Sequence, residues 1–431
     1  MDIRTLYTLF QAAEGVTTDT RNINANSLFF ALKGDHFDGN DFAEEALDKG
    51  ALAVVVDRPA FKETNARFHF VEDVLKSLQA LAHHHRKQCK TTVIALTGSN
   101  GKTTTKELFK AVLSEQYICQ ATQGNLNNHI GVPLTLLSIK PNTELAVVEM
   151  GANHQGEIAT LCEIAAPDWG YITNFGKAHL EGFGGIEGVI KGKTELYHYL
   201  IKHRKKILVH ADDPLQEKAV ENYPVTRFGK NAKNDHPIRY ISKGNEGLCL
   251  EYNQTTICSS LYGTYNLPNI AAAVALGVQF GIALPLVNKA ITHFKSNNNR
   301  SQQLEKGKYH FILDAYNANP TSMKAALDSF TKMKGDAKAL ILGDMLELGE
   351  ASAQEHQNIL YTALSMDVET IYLVGKIWGS IGIEHPKIEY FQTSVALCEA
   401  FKKELPKATT LFLKGSRGIA LESVLTAFDS D

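Results

Sequence analysis

The densest chemistry lies in Gly98-Ser99-Asn100-Gly101-Lys102-Thr103-Thr104. Glycines let a backbone turn tightly and aim several N–H groups at one point, and a following helix N-terminus adds its positive end; together they hold phosphate. In such a turn Lys102 reaches the outer phosphates of a nucleoside triphosphate, and the Thr103 hydroxyl ligates Mg²⁺. Leu96 stands where the general phosphate-loop pattern has a further glycine. The next apolar run, Leu145 to Val148, ends in Glu149, a carboxylate placed to hold Mg²⁺ beside the phosphates. Past a further run comes Asn174-Phe175-Gly176-Lys177-Ala178-His179. A lone histidine is ordinarily structural, but one in a turn just beyond a strand of a phosphate-binding unit is a metal candidate. Neither the Asp-x-x-Gly nor the Asn-Lys-x-Asp motif of switch GTPases occurs, and Glu149 replaces the Asp or Asp-Glu usual in motor ATPases.

These residues need a scaffold that brings strand ends together. Strand-like runs at Thr92–Leu96, Leu145–Glu149, Tyr171–Thr173, Ile207–His210, Phe311–Asp314, Ala339–Leu342, Ile371–Val374 and Leu411–Leu413 alternate with helical stretches, one from about Thr104 to Ser114. That alternation predicts parallel sheets in α/β layers, with ligands beyond the carboxyl ends of the strands. A helical stretch ends near His83-His84-His85-Arg86-Lys87-Gln88, and Lys295-Ser296-Asn297-Asn298-Asn299-Arg300 has linker character. The chain is therefore divided into residues 1–88, 89–296 and 297–431. The three-histidine run reads as a solvated helix end rather than a metal site.

At 431 residues the length suits about three domains. A formal net charge of −3 gives no field that would make nucleic acid or a membrane surface the main partner. The six cysteines form no C-x-x-C pair and read as reduced thiols. Met1-Asp2-Ile3-Arg4 lacks the apolar stretch of a signal peptide. Ile270 to Val287 carries no charge but is broken by Gly277, Gln279, Gly281 and Pro285, so a buried helix followed by a turn is expected rather than a membrane span. A cytoplasmic protein without stable membrane association is the expectation.

The chain resembles the Mur ligases, and within them the class that adds D-alanyl-D-alanine to a UDP-N-acetylmuramoyl tripeptide. The resemblance rests on an ordered set of stretches over nearly the whole length. They are Thr18–Arg21, Leu28–Gly34, Gly124-Asn125-Leu126-Asn127-Asn128-His129-Ile130-Gly131, Met150–Ile158, Ala178–Phe183, Gly343-Asp344-Met345-Leu346-Glu347-Leu348-Gly349 and Lys414-Gly415-Ser416-Arg417-Gly418. The phosphate loop without its first glycine is also the family's form. The implied fold is a small N-terminal α/β domain for the UDP-substrate, a central P-loop parallel-sheet domain and a C-terminal doubly wound, Rossmann-like domain.

The resemblance implies an ATP-dependent ligase of cell-wall synthesis, acting as a monomer through an acyl phosphate on the tripeptide. It places Thr103 and Glu149 at one Mg²⁺ and His179 at a second, beside a lysine carbamylated by CO₂. Lys193 is chosen for that lysine, with Lys191 as the other possibility. It implies adenine contacts from Asn266 and Asn269, a nucleotide contact from Arg300 and a ribose contact from Asp314. The substrates would be held by Thr20, Arg21, Asn127, Asn128, Lys414, Ser416 and Arg417. Helix capping by Asn266 and Ser416 is the plainer role for those two. Asn26 stands where the family often has glycine, and asparagine tolerates left-handed backbone. Two other functions remain open at this point: a related ligase adding a single amino acid, and an ATP-binding switch or scaffold.

Overall fold

The computed structural model describes residues 1–242, 247–333 and 337–429. Strands apolar on both faces need a cover on each side, which helices provide, and the expected strands all form, each pairing parallel with at least one neighbour. The first sheet is four parallel strands, Gly15–Thr17, Ser27–Phe30, Ala53–Val56 and Phe68–Phe70, in that order. The left-handed conformation expected at Asn26 is present (φ 61°), just before its second strand. Helix Val74–Gln88 then carries the chain onward. Its Leu78 and Leu81 share one apolar core with Leu28 of the first sheet and Val93 and Val148 of the next.

The second sheet has seven strands, and the P-loop strand Thr92–Thr97 lies inside it between Trp169–Ile172 and Leu145–Glu149. The chemistry-bearing residues thus leave adjacent strand ends on the same edge. The uncharged stretch forms helix Leu267–Gln279, a turn, and helix Leu284–His293. Its first helix is buried against the P-loop helix Lys102–Leu113: a Cβ on Gly277 would lie 2.4 Å from Val112 Cγ1. Close packing there accounts for the small residues and delivers Asn266 and Asn269 to the P-loop. Among the described residues, no helix is long and apolar enough to cross a membrane.

The third sheet has six strands. Tyr309–Asp314, Thr410–Lys414, Lys338–Gly343, Thr370–Val374 and Ile388–Phe391 run parallel, and Gln302–Lys306 pairs antiparallel at one edge. Helices cover both faces, with Phe330 and Trp378 buried on one side and Phe401 and Phe428 on the other.

Three expectations need correction. The region after residue 238 forms an antiparallel sheet, Arg239–Ser242, Leu248–Tyr252 and Thr255–Ser259, that the alternating pattern did not reveal. Its hairpin turns through Asn253 and Gln254, both at positive φ, without the glycine that ordinarily marks such a turn. That hairpin sets Cys249 opposite Cys258, with Cα atoms 4.1 Å apart and a disulfide between them, so these two are not the reduced thiols expected. The three-histidine run is not a solvated end either. His85 is buried, with Nε2 3.1 Å from the Ile139 carbonyl, and His83 Nδ1 lies 3.2 Å from that of Ile164.

Candidate active site

The phosphate loop is braced before it is charged. Gly98 and Gly101 adopt φ 144° and 80°, and a Cβ on Gly98 would stand 1.9 Å from Thr173 Oγ1. Ser99 Oγ donates to the Gly176 carbonyl (3.0 Å) and accepts from the Gly176 N–H (2.9 Å), while the Asn100 N–H donates to Asn174 Oδ1 (3.1 Å). The strand-end loop carrying His179 and the P-loop are thereby one hydrogen-bonded unit. Lys102 Nζ folds over the turn and donates to the Gly98 carbonyl at 2.7 Å. Burial lowers its pKa, against the attraction of Glu149 and with the repulsion of Arg300.

Thr103 and Glu149, from a helix start and a neighbouring strand end, meet in the cavity. Thr103 Oγ1 donates to Glu149 Oε1 at 3.3 Å, and Asn127 Nδ2 donates to the same oxygen at 2.8 Å. Glu149 is 1% exposed, and its Oε2 is buried without a hydrogen-bond partner, 3.9 Å from Lys106 Nζ. An orphaned carboxylate oxygen beside a hydroxyl suits a cation; two adjacent ligands of octahedral Mg²⁺ lie about 2.9 Å apart. Among the described residues no three His, Cys, Asp or Glu side chains cluster as metal ligands. A cation here would draw its remaining ligands from phosphate and water, as Mg²⁺ usually does.

Lys193 and Lys191 lie on opposite sides of helix Ile186–Lys202, Lys191 exposed and Lys193 buried. Lys193 Nζ donates to the Ala152 carbonyl (3.2 Å) and sits 4.9 Å from the centre of the Phe183 ring. Burial, and then the charge of Lys102, push its pKa well below the ordinary lysine range. Ala152 lines the cavity, so Lys193 stands one residue behind its wall.

The opposite wall comes from the linker and the third sheet. Arg300 lies between two left-handed residues, Asn299 and Ser301, and its guanidinium stacks 3.8 Å from the Tyr316 ring. Its Nε is buried without a partner. Asp314 accepts from the Ser301 N–H at 3.2 Å and pairs with Lys414 at 2.6 Å, so the residues expected at ribose and at substrate hold each other. Asn266 makes no side-chain helix cap; its Nδ2 donates to the Tyr262 carbonyl (2.7 Å), and its Oδ1 accepts from Asn269 (2.9 Å). Asn269 presses on Gly101, where a Cβ would lie 2.8 Å from Asn269 Oδ1.

One cavity of about 680 Å³ therefore gathers Ser99, Asn100, Gly101, Lys102, Thr103, Thr104, Asn127, Asn128, Glu149, His179, Asn266, Asn269, Arg300, Asp314 and Lys414. The Asn128 side chain also accepts from the Ile130 N–H (3.1 Å) and the Gly131 N–H (2.8 Å), shaping the turn into helix Gly131–Leu137. Other expected residues lie elsewhere. Gly98 and Lys193 do not line the cavity. Ser416 is buried and accepts from the Leu346 N–H at 2.9 Å rather than capping its own turn. Arg417 is exposed and pairs with Glu422. Thr20 and Arg21 remain with the first sheet, where Arg21 holds the Asp19 carboxyl at about 2 by hydrogen bonding. Sequence reasoning passed over Tyr316, Lys106 and Asn174. Tyr316 and Asn174 had a usable signal, since each lies within two residues of the end of an identified strand.

Three regions match known families: residues 13–89 the Mur ligase family, catalytic domain; 96–277 the Mur ligase middle domain; and 299–417 the Mur ligase, glutamate ligase domain. The UDP-N-acetylmuramoyl-tripeptide–D-alanyl-D-alanine ligase of Bacillus subtilis is 36% identical over 423 residues, covering 95% of this chain and 92% of that protein. The ligase of the same name from Escherichia coli is 36% identical, covering 97% and 94%. In structure, MurF from Acinetobacter baumannii superposes with a TM-score of 0.87 at 30% identity, covering 99% of this chain and 98% of that one. MurF from Thermotoga maritima in complex with ADP gives 0.84 at 28% identity, covering 97% of each.

Proposed function

The chain belongs to the Mur ligase family, and on that premise we propose that it joins D-alanyl-D-alanine to a UDP-N-acetylmuramoyl tripeptide at the expense of ATP. The observation that carries this reading is the single cavity shared by Lys102, Glu149 and His179 on one wall and Arg300, Asp314 and Lys414 on the other. A carboxylate and a triphosphate repel each other; a site that makes them react must concentrate positive charge where they meet.

Each group then has a task. The P-loop amides and Lys102 neutralise the phosphates, Asn266 and Asn269 face the adenine, and Arg300, stacked on Tyr316, holds the nucleotide from the linker. Asp314 takes the ribose hydroxyls once Lys414 turns to substrate. Thr103 and Glu149 would hold one Mg²⁺, and His179 with carbamylated Lys193 a second; bound there, the ions supply the charge that offsets repulsion between the anions. Lys193 suits carbamylation because only a neutral amine attacks CO₂, and burial favours that form. The γ-phosphoryl of ATP passes to the tripeptide carboxylate, the dipeptide amine attacks the acyl phosphate, and orthophosphate leaves. Thr20 and Arg21 hold the UDP end, Asn127 and Asn128 the muramoyl tripeptide, and Lys414, with Ser416 and Arg417 at its strand end, the dipeptide carboxylate.

Residues 1–88, 89–296 and 297–431 serve as the UDP-substrate, ATP and dipeptide domains of a cytoplasmic monomer. Omitting each substrate in turn from an ADP-release assay tests the reading: release should require ATP, the UDP-muramoyl tripeptide and D-alanyl-D-alanine together. Full-rate release without the dipeptide would overturn it.

A further inference from the structure

The loop that carries His179 is clasped from the third domain at several points. Lys177 Nζ pairs with Glu355 at 2.8 Å, and the Lys177 N–H donates to Thr321 Oγ1 at 2.9 Å. Asn319 Nδ2 donates to Asn100 Oδ1 at 2.7 Å, tying the same domain to the phosphate loop. The shortest of these contacts is chemical in kind: His179 Nδ1 lies 2.6 Å from Glu347 Oε2.

Both partners are held in backbone conformations that side-chain-bearing residues rarely adopt, His179 at φ 52° and Glu347 at φ 63°. Such positions persist where surrounding structure fixes them, and they concentrate at functional sites. Glu347 is fixed from the two residues before it. The Met345 N–H donates to His356 Nε2 (2.9 Å), and the Leu346 N–H donates to Ser416 Oγ (2.9 Å).

An imidazole whose Nδ1–H is held by a carboxylate has its tautomer and ring plane set, and its Nε2 lone pair is left for a metal. We propose that Glu347 is a positioning residue for His179, and that the second cation site is complete only when the third domain seats this carboxylate against the loop. The proposal rests on the reading of His179 as a metal-binding residue. It links the Gly343–Gly349 run, which no step of the chemistry uses directly, to the metal centre.

The test is Mn²⁺ binding to the full chain with ADP, read from the free-ion EPR signal, for wild type, Glu347→Ala, Glu347→Gln, Glu355→Ala and His179→Ala. Wild type should take up two ions. Glu347→Ala should weaken the second by about 10–100-fold and leave the first within about twofold, as loss of a carboxylate behind a ligand histidine does. Glu347→Gln, which keeps an acceptor oxygen, should fall between the two. Glu355→Ala, which removes the pairing with Lys177 and not the one with the imidazole, should weaken the second ion and loosen the interdomain distance measured by FRET. Unchanged affinity in Glu347→Ala, with the second ion lost in His179→Ala, overturns the positioning role alone. An unchanged second ion in Glu355→Ala, despite a loosened interdomain distance, overturns the coupling to domain seating. Unchanged binding in His179→Ala, or a single ion in wild type, overturns the underlying metal reading instead.

Discussion

Lys193→Met separates the reactive-amine reading of Lys193 from an ordinary structural one, because the two predict opposite changes in stability. Lys193 is 1% exposed, and the partners of its ammonium are neutral: the Ala152 carbonyl at 3.2 Å and the Phe183 ring at 4.9 Å. Methionine fills a similar volume without a charge to desolvate. By the scale of buried-charge replacements, the variant should gain about 2 kcal/mol in CO₂-free buffer at neutral pH. For a domain of this size that corresponds to a Tm rise of about 4–8 °C. The pH dependence has a definite sign. Between its depressed folded pKa and about 10.4, Lys193 binds a proton in the unfolded chain and none in the folded one, so wild-type stability rises with pH through that window. The variant lacks that rise, and the gap between the two should close as pH increases. Turnover should fall by at least about 10–100-fold, the range for perturbing a metal's ligand shell. In Lys193→Ala, added short-chain carboxylic acids should restore part of it. Calorimetry at several pH values with an ADP-release assay covers all of this. A Lys193→Met protein less stable than wild type at neutral pH would refute the reasoning, because it would show the ammonium to be well satisfied where it is.

Lys102→Ala should lower kcat by about 10²–10³-fold or more with little change in Tm, since its Nζ acts on phosphate charge and otherwise covers only the Gly98 and Ser99 carbonyls of its own turn; steady-state kinetics and thermal unfolding check both. Gly101→Ala meets φ 80° and an Asn269 oxygen at 2.8 Å, so it should cost about 1–3 kcal/mol and weaken ADP binding, measured by denaturant unfolding and calorimetric titration. Lys106→Met should destabilise by about 1–3 kcal/mol and raise the Mg²⁺ concentration needed for half-maximal activity; equal stability would contradict its assigned pairing.

The local chemistry was legible where one residue type has one use. Gly98 through Thr104 between a strand and a helix admits few readings, and the carboxyl-end position of Glu149 followed from the four-residue apolar run before it. Pairings across domains were not legible. Asp314 and Lys414 lie one hundred residues apart and ion-pair because their strands are neighbours, Asp314 opposite Lys414. Nothing local to either residue encodes that register. Lys191 and Lys193 illustrate the middle case. The resemblance singled out Lys193 over Lys191, and only the packing of Phe183 and Ala152 shows which of the two faces inward. The Cys249–Cys258 pair was hidden for the same reason as the hairpin that makes it: Asn253-Gln254 turns the chain without a glycine to announce it.

Two fully buried lysines flank this cavity, and their surroundings give them opposite uses. Lys106, one turn beyond Thr103 on the P-loop helix, has Glu107 at 3.0 Å, the Gly124 carbonyl at 3.2 Å and the orphaned Glu149 oxygen at 3.9 Å. Its charge is balanced by carboxylates, so it ties the metal-side acid to the helix and to the loop that carries Asn127. Lys193 has no carboxylate among its hydrogen-bond and ring partners; Glu157 and Glu195 attract its charge only from further off, and burial outweighs them against the protonated form. A fixed cation is useful where Glu149 must keep one orientation; a neutral amine is useful where the side chain must first become an anion by taking up CO₂. Exchanging either for methionine removes the same atoms from the same kind of interior. Opposite signs in the two stability changes therefore test whether carboxylate neighbours, rather than burial alone, decide which lysine is structural and which is chemically primed.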